Sequence, residues 1–290
     1  MLSLEILLHS VVTGLMNGAV YALVAMGLTL IFGVLHIINF AHGSLLMVAM
    51  YGVFFAVTLL GIDPYVTIPF MMVLMYFAGY GLQRYVIGNA GQGRDTNILL
   101  ITLGAAVVMD NLALYLWTGD TRQLQLDYMM AVVDLGFALI PVTRIIAFVA
   151  ACALFVAMWL VIERTDFGRA MRAVAKEPFG ARVVGIDVDR VYAQTMGIGT
   201  ACLGAAAALL LPIFYVNPQI GNVFVLLAFT IVVLGSMGNI VGALVGGLLV
   251  GLVESVGGFF LGDRLGQVGI FVIFILILTF RPQGLFSARV

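Results

Sequence analysis

Residues 145–162 form a run of eighteen residues without a charge, and such runs constrain the fold more than any other feature. A helix needs about 20 mostly apolar residues to cross the hydrocarbon layer of a membrane. Similar runs recur along the chain, and only 9% of its residues are charged, against about a quarter in soluble domains. The sequence therefore predicts an all-α integral membrane protein with about 8–9 hydrophobic segments, some broken or re-entrant. These segments form a single transmembrane domain over residues 1–290.

The one long polar stretch, residues 163–190, orients these segments in the membrane. Basic residues are retained on the cytoplasmic side of bacterial-type membranes, so we expect this stretch to be a cytoplasmic loop of a multi-pass inner-membrane protein. Counting spans from this loop places 88–96 and 281–290 in the cytoplasm and 118–144 and 212–221 outside. The stretch contains six of the thirteen basic residues, namely Arg164, Arg169, Arg172, Lys176, Arg182 and Arg190.

A short helix is predicted inside the polar stretch. Arg169, Arg172 and Lys176 are spaced by three and four residues, which aligns them on one helical face. Pro178 ends the helix, and Gly185 allows the chain to turn back. The helix also has a small apolar side, formed by Ala170, Met171, Ala173 and Val174. A side this small favours docking into a protein groove over deep burial in lipid, with a basic helix lying on anionic headgroups as the alternative.

Two polar, glycine-containing interruptions, 36–44 and 235–242, lie in opposite halves of the chain. The first interruption either caps a turn at the membrane surface or marks an unwound break in a helix that lines a cavity. Paired interruptions are typical of an internal repeat with a translocation path between its members. The first 44 residues allow either one crossing and a broken second one, or a crossing and a re-entrant segment. The candidate path residues are His36, Asn39, His42, Gly43, Ser44, Ser236, Gly238 and Asn239.

Other residues within the apolar runs leave open alternatives. An acid inside a span is costly and usually faces the protein interior, so Asp110 and Glu254 are either structural hydrogen-bonding groups or parts of an ion relay. The spacing of Gly14 and Gly18 favours a seam at which two helices approach closely.

Known enzyme motifs are missing from the sequence. There is no H-E-x-x-H, no G-x-S-x-G and no Cys/His set with metal-ligand spacing. Lys176, the only lysine, does not follow the glycine pattern of a phosphate-binding loop. We therefore expect a non-enzymatic protein without a metal or cofactor, and any ATP that it uses must be bound by another chain. Cys152 and Cys202 lie in apolar runs and are expected to be packing residues, and nucleic acid is not an expected partner.

Three separate blocks of the sequence, residues 14–52, 163–191 and 227–255, resemble one known family. They are similar, in the same order, to the permease subunits of branched-chain amino acid ABC importers of the LivH type. The most distinctive block is ERTDFGRAMRAVAKEPFGARVVGIDVDRV. Together the blocks cover about a third of the chain.

The resemblance implies a role for the polar stretch. In such importers a short cytoplasmic helix of each permease docks into a groove of an ATPase subunit and transmits its closure to the membrane helices. It also implies a second, related permease of the LivM type, two ATP-binding subunits and a periplasmic substrate-binding protein. The chain itself is expected to contact membrane lipid. Related permeases serve urea, amides or aromatic acids, so the resemblance does not fix the substrate. The implied coupling residues are Gly168, Arg169, Arg172, Ala173, Lys176, Glu177, Ala181 and Gly185.

Two other functions remain open at the level of sequence. An ion-coupled secondary transporter would use Asp110, Glu254 or His42 as its coupling site. A passive channel would need neither ATP nor a gradient. Only the importer requires ATPase subunits that co-purify with the chain.

Overall fold

The fold is described from a computed structural model that covers residues 2–90, 95–134, 136, 138–280 and 284–286. The predicted cytoplasmic segments 88–96 and 281–290 carry Arg94, Arg281 and Arg289, and these three residues lie outside the described residues.

The described chain is helical almost throughout, as the apolar runs predict. Residues Leu82–Ile87 form a π-helix that joins the helices Ile68–Gly81 and Gly88–Ala90 into one continuous rod. In chain order the α-helices are α1 Leu2–Leu35, α2 Ala41–Leu60, α3 Ile68–Gly81, α4 Gly88–Ala90, α5 Asp95–Trp117, α6 Val142–Arg164, α7 Asp166–Lys176, α8 Pro178–Val183, α9 Val188–Leu210, α10 Ile220–Gly235, α11 Ile240–Leu261 and α12 Asp263–Phe280.

A small β-hairpin interrupts the helical pattern between α5 and α6. Its strands, β1 Val132–Asp134 and β2 Leu139–Pro141, pair antiparallel, with Val132 opposite Pro141. The sequence analysis did not predict them, because three-residue strands are too short to show an alternating pattern.

Among the described residues, six helices are long and apolar enough to cross a membrane: α1, α2, α5, α6, α9 and α11. The apolar parts of α10 and α12 are shorter. The prediction of an all-α membrane protein is therefore confirmed, whereas helix length does not confirm the predicted count of about 8–9 hydrophobic segments.

Residues Leu2–Leu35 form one helix despite their four glycines. A Cβ atom added to Gly14 would lie 2.7 Å from the carbonyl oxygen of Gly251, and one added to Gly18 would lie 2.7 Å from that of Gly247. The glycines therefore let α1 and the antiparallel α11 approach each other, which confirms the predicted seam.

Burial divides the helices into central and peripheral ones. The most apolar windows of α1 and α9 are 83% and 89% buried, whereas those of α5 and α6 are only 17% and 22% buried. The outer faces of α5 and α6 carry many exposed apolar side chains, among them Leu103, Val107 and Val149. These faces are suited to contact lipid or another membrane subunit.

Several connections between helices meet at one end of the bundle. The Tyr128 hydroxyl donates a 2.8 Å hydrogen bond to Asp63, and Arg122 pairs through its backbone with Val216. Burial, and then the neighbouring Asp63, raise the pKa of Tyr65 to about 12, and burial also raises the pKa of Tyr128. Both phenols therefore stay protonated. We name this the α2–α3 end of the molecule.

The opposite end contains the polar stretch and the second interruption. The backbone N–H of Leu285 donates to Leu234, and that of Phe286 donates to the Ser236 hydroxyl. Arg172 of α7 borders the same cleft as Ser236. We name this the α7 end, and the two groups of connections agree with the topology predicted from charge.

Candidate functional site

Helix α7 begins at a side-chain cap and is followed directly by the capped start of α8. The backbone N–H of Gly168 donates to the hydroxyl of Thr165, which precedes the helix. The helix ends at Lys176, and Pro178 then begins α8. The backbone N–H of Phe179 in α8 donates a hydrogen bond to the Glu177 carboxylate. Proline is favoured at the first position of a helix and disfavoured inside one, so the predicted break at Pro178 is confirmed.

The inner side of α7 is covered by the chain itself. Met171 and Val174 are buried, and a Cβ atom on Gly168 would overlap the carbonyl oxygen of Ile162 at the end of α6. The sequence analysis assigned Met171 and Val174 to a side that docks into another protein. That assignment was wrong for these two residues, because the helix uses this side to pack against α6 and the core.

The outer side of α7 continues into an exposed apolar patch on α8. Phe179, Val183 and Val184 are each exposed by more than 70%. Sequence reasoning missed them, although three large apolar residues inside a polar loop are a signal for such a patch. We define the α7–α8 surface as Arg169, Ala173, Lys176, Glu177, Phe179, Val183 and Val184, all of which are exposed.

The other predicted coupling residues occupy different positions. Arg172 and Gly185 are exposed, whereas Gly168 and Ala181 are buried. The backbone of Gly185 has a positive φ of 87°, which glycine adopts without strain, and the Ala181 carbonyl accepts a hydrogen bond from Ile186. Gly168 and Ala181 thus lie on the buried side of the α7–α8 segment and contribute to its packing.

Arg172 ties α7 to the end of α6. Its guanidinium donates a 2.7 Å hydrogen bond to the carbonyl oxygen of Ile162 and lies 3.5 Å from the carboxylate of Glu163. The Ile162 carbonyl would otherwise be one of the unpaired groups at a helix C-terminus, and a cation stabilises that end of a helix. Arg169 pairs with Asp166 within α7. The Arg172 side chain thereby links α7 to the C-terminus of α6.

A cleft of about 710 Å³ lies behind α7. Its walls come from the last turns of α1 and α6, from α7, and from the connection between α10 and α11. Three of the predicted path residues line it together with Arg172: Ser236, Gly238 and Asn239. The structure therefore places three of the eight predicted path residues in the same cleft as the predicted coupling helix.

The connection between α10 and α11 is a tight, well-bonded turn. Ser236 and Gly238 have positive φ angles of 75° and 85°. The Asn239 side chain accepts a hydrogen bond from the N–H of Gly242 and so caps α11. Gly238 packs against Gly33 of α1, where a Cβ atom on Gly33 would lie 2.8 Å from the Gly238 Cα.

The first interruption, 36–44, is mostly buried inside the bundle and lies apart from this cleft. Asn39 and His42 are fully buried and Ser44 nearly so, while His36 is exposed with a positive φ of 56°. The His42 ring lies 3.0 Å from the carbonyl oxygen of Val24 in α1. Residues 36–40 are therefore an unwound break between α1 and α2, whereas Ala41–Ser44 form the buried first turn of α2.

Helices α2, α9 and α10 hold this break in place. The Asn39 amide contacts the sulfur of Met196 at 3.7 Å, and its oxygen accepts a hydrogen bond from Ala41. Gly43 lies against Gly221, and a Cβ atom on Gly43 would overlap the Gly221 carbonyl oxygen. The predicted path residues of the two interruptions thus occupy two separate environments.

The intramembrane acids lie on different helices. Asp110 belongs to α5, and its Oδ1 atom is buried without a hydrogen-bond partner among the described residues. Glu254 belongs to α11 and lines a cavity with Tyr21 of α1. Within the part of the chain that the structure describes, no group of three or more His, Cys, Asp or Glu could hold a metal ion.

Comparison with known proteins identifies the family. The family described as "Branched-chain amino acid transport system / permease component" matches residues 10–279, which is nearly the whole chain. The chain belongs to this family. The permease is accordingly a multi-pass protein of the inner (plasma) membrane.

Relatives resemble the permease over almost all of its length. The branched-chain amino acid permease protein BraD of Pseudomonas aeruginosa is 33% identical over 294 positions, covering 96% of this chain and 95% of the relative. LivH of Escherichia coli K12 is 30% identical, with 96% and 94% covered. A probable LivH of Methanocaldococcus jannaschii is 26% identical, with 91% and 87% covered. No solved structure matches the permease.

Proposed function

We propose that the permease is the membrane subunit of an ATP-driven importer for branched-chain amino acids or related small polar substrates. The observation that carries this function is the α7–α8 surface, which exposes cations and large apolar side chains together and is fastened to α6 through Arg172. The names of BraD and LivH give the substrate class of the relatives.

The proposed complex contains more than this chain. A second, related permease faces it in the membrane, two ATP-binding subunits dock at the α7 end, and a periplasmic binding protein delivers substrate at the α2–α3 end. ATP is bound by the docked subunits, and the permease itself performs no catalysis. The peripheral, apolar faces of α5 and α6 are suited to contact lipid or the second permease.

In the proposed topology the chain crosses the membrane nine times, through α1, α2, the α3–α4 rod, α5, α6, α9, α10, α11 and α12. The two groups of connections support this count, because nine crossings make successive loops alternate between the α2–α3 end and the α7 end. The polar stretch 163–190 is the cytoplasmic coupling loop of the single domain.

In the proposed coupling mechanism, the motion of the ATP-binding subunits acts on α7 first. Gly168 and Arg172 pass the displacement to the end of α6, and the same helix borders Ser236, Gly238 and Asn239. The cleft therefore widens or narrows as α7 moves. The unwound residues 36–40 connect α1 to α2, and their backbone can rearrange when these two helices follow.

The docking step is tested by charge substitutions in the apolar patch. The double variant Phe179→Asp and Val183→Asp removes exposed apolar contact and adds acids to a basic surface. We expect recovery of the ATP-binding subunits with the tagged permease to fall at least about tenfold, because apolar anchors dominate such interfaces. Quantitative pull-down of the co-expressed complex measures this.

The control places the same change at the other end of the molecule. Val132 is exposed in β1, so Val132→Asp adds an acid without approaching α8. It should leave recovery unchanged. Equal recovery of the ATP-binding subunits with the double variant and with this control contradicts docking through the α7–α8 surface.

A further inference from the structure

A second cavity, of about 520 Å³, lies far from α7, at the end of the bundle where α6 begins and α9 ends. It is enclosed by the first half of α1, the first turn of α6, the last turns of α11 and the residues after α9. Its polar lining includes Thr13, Asn17, Tyr21, Arg144 and Glu254. On the proposed topology it is at the outer, substrate-entry side.

Two opposite charges line this cavity without forming an ion pair. Among the described residues, neither Arg144 nor Glu254 lies within 4 Å of an oppositely charged side chain. The Tyr21 hydroxyl is instead the neighbour of the Glu254 carboxylate. Ionisable side chains among membrane-spanning helices usually pair with one another or mark a substrate pathway, so two unpaired charges in one cavity are suited to binding a charged ligand.

The position of Arg144 increases its need for an anion. Arg144 is the third residue of α6, and the first turn of that helix contains no acid. The N-terminus of a helix carries a partial positive charge that disfavours a cation and attracts an anion. A negative group bound beside Arg144 would be stabilised by the guanidinium and by the helix end.

Two uncharged polar atoms in the cavity also lack partners. Thr13 is 7% exposed, and its hydroxyl, like the amide oxygen of Asn17, is buried without a hydrogen bond among the described residues. Leaving such an atom unpaired costs about 1–3 kcal/mol. Nearby, the ring of Phe214 lies 6.4 Å from that of Tyr21 and supplies an apolar wall.

We propose that this cavity binds a free zwitterionic amino acid, with its carboxylate beside Arg144 and its ammonium group beside Glu254. Thr13 and Asn17 accept or donate the remaining hydrogen bonds, and the aliphatic side chain packs towards Phe214. A zwitterion satisfies both charges at once, which an anion, a cation or an uncharged amide does not. This assignment rests on the proposed import function and places its entry site.

The test measures binding directly, without transport. The assembled complex in phosphatidylglycerol nanodiscs, without the binding protein, is studied by saturation-transfer NMR with leucine, leucinamide and 4-methylpentanoate. Leucinamide lacks the carboxylate, and 4-methylpentanoate lacks the ammonium group. We expect Arg144→Gln and Glu254→Gln each to weaken leucine binding at least about tenfold, because a hydrogen bond to a charged group contributes about 1.5–3 kcal/mol.

The two analogues separate recognition from a general loss of structure. Arg144→Gln should not change the response to leucinamide, and Glu254→Gln should not change the response to 4-methylpentanoate. Asp134→Asn, in the exposed hairpin, is the control for removing an acid and should leave all three ligands unaffected.

Two outcomes overturn the proposal. One is leucine binding that is equal in the wild-type complex and both variants. The other is a cavity that binds a lipid headgroup only. In that case phosphatidylethanolamine abolishes the NMR response to leucine, and excess leucine does not restore it. Failure of the import function appears separately, as a wild-type complex that binds leucine in this pattern but does not accumulate it with ATP.

Discussion

Replacing Gly168 with alanine is expected to lower ATP-driven uptake by the assembled complex at least about tenfold. The added Cβ atom would overlap the backbone carbonyl of Ile162, so α7 must move away from the end of α6. This movement also weakens the hydrogen bond from Arg172 to the same carbonyl. Overpacking of this kind costs about 1–3 kcal/mol, and about 1.4 kcal/mol corresponds to a tenfold change in an equilibrium or a rate. Uptake and substrate-stimulated ATP hydrolysis in proteoliposomes measure the effect.

The matched control is Gly104→Ala. Gly104 lies within α5, and a Cβ atom added there has open space around it in the described structure. The control should keep wild-type uptake, and alanine even favours the helix. The double variant Gly168→Ala and Arg169→Ala extends the test to the neighbouring cation. If its uptake and its substrate-stimulated ATP hydrolysis are both normal, α7 does not couple the two processes.

Replacing Gly251 with alanine is expected to destabilise the permease itself by about 3 kcal/mol or more. The new methyl group would overlap the carbonyl oxygen of Gly14 and approach the Cα of Gly18, both in the backbone of α1. Backbone cannot rotate away as a side chain does, so the seam between α1 and α11 must open. Helices α1 and α9 are the two most deeply buried of the long helices. Opening the seam therefore removes contacts throughout the bundle.

Thermal unfolding of the purified permease measures this loss. Gly269 of α12 is the matched control, because a Cβ atom added there would meet only the Val253 side chain at an ordinary 3.6 Å. We expect Gly251→Ala to lower the unfolding temperature strongly and Gly269→Ala to change it little. Equal unfolding temperatures for the two variants would contradict a close-packed seam.

Local features of the structure were predictable because their causes are local. The apolar runs predicted the long helices, and the chemistry of proline predicted the end of α7 before Pro178. The spacing of Gly14 and Gly18 predicted a seam, although it did not identify α11 as the partner. The absence of a charge in 145–162 predicted a span that the structure extends to Val142–Arg164.

Features that depend on distant contacts were not predictable. The sequence does not reveal that Met171 and Val174 face α6, which leaves Phe179 and Val183 as the exposed apolar residues. The break at 36–44 also resembles 235–242 in composition, yet its environment differs, because His42 contacts Val24 of a preceding helix. A single sequence contains no information on such pairings. The internal repeat and the individual path residues remain predictions.

The cavity at Arg144 illustrates the same limit. Tyr21, Arg144 and Glu254 are each separated from the next by more than a hundred residues in sequence. Only the packing of α1, α6 and α11 brings them together. The sequence analysis marked Glu254 as an intramembrane acid with two alternative roles. Its position beside Tyr21, in a cavity shared with a cation, favours ligand recognition over a relay of protons.

The most direct test of ATP-driven import is substrate uptake into proteoliposomes of two kinds. One kind contains the permease with its second permease and the ATP-binding subunits, supplied with the binding protein and leucine. The other contains the permease alone. We predict that leucine accumulates only in the first kind and only with ATP, whatever the proton or sodium gradient. Accumulation by the permease alone, driven by such a gradient and abolished by Asp110→Asn or Glu254→Gln, would contradict this function and establish a secondary transporter.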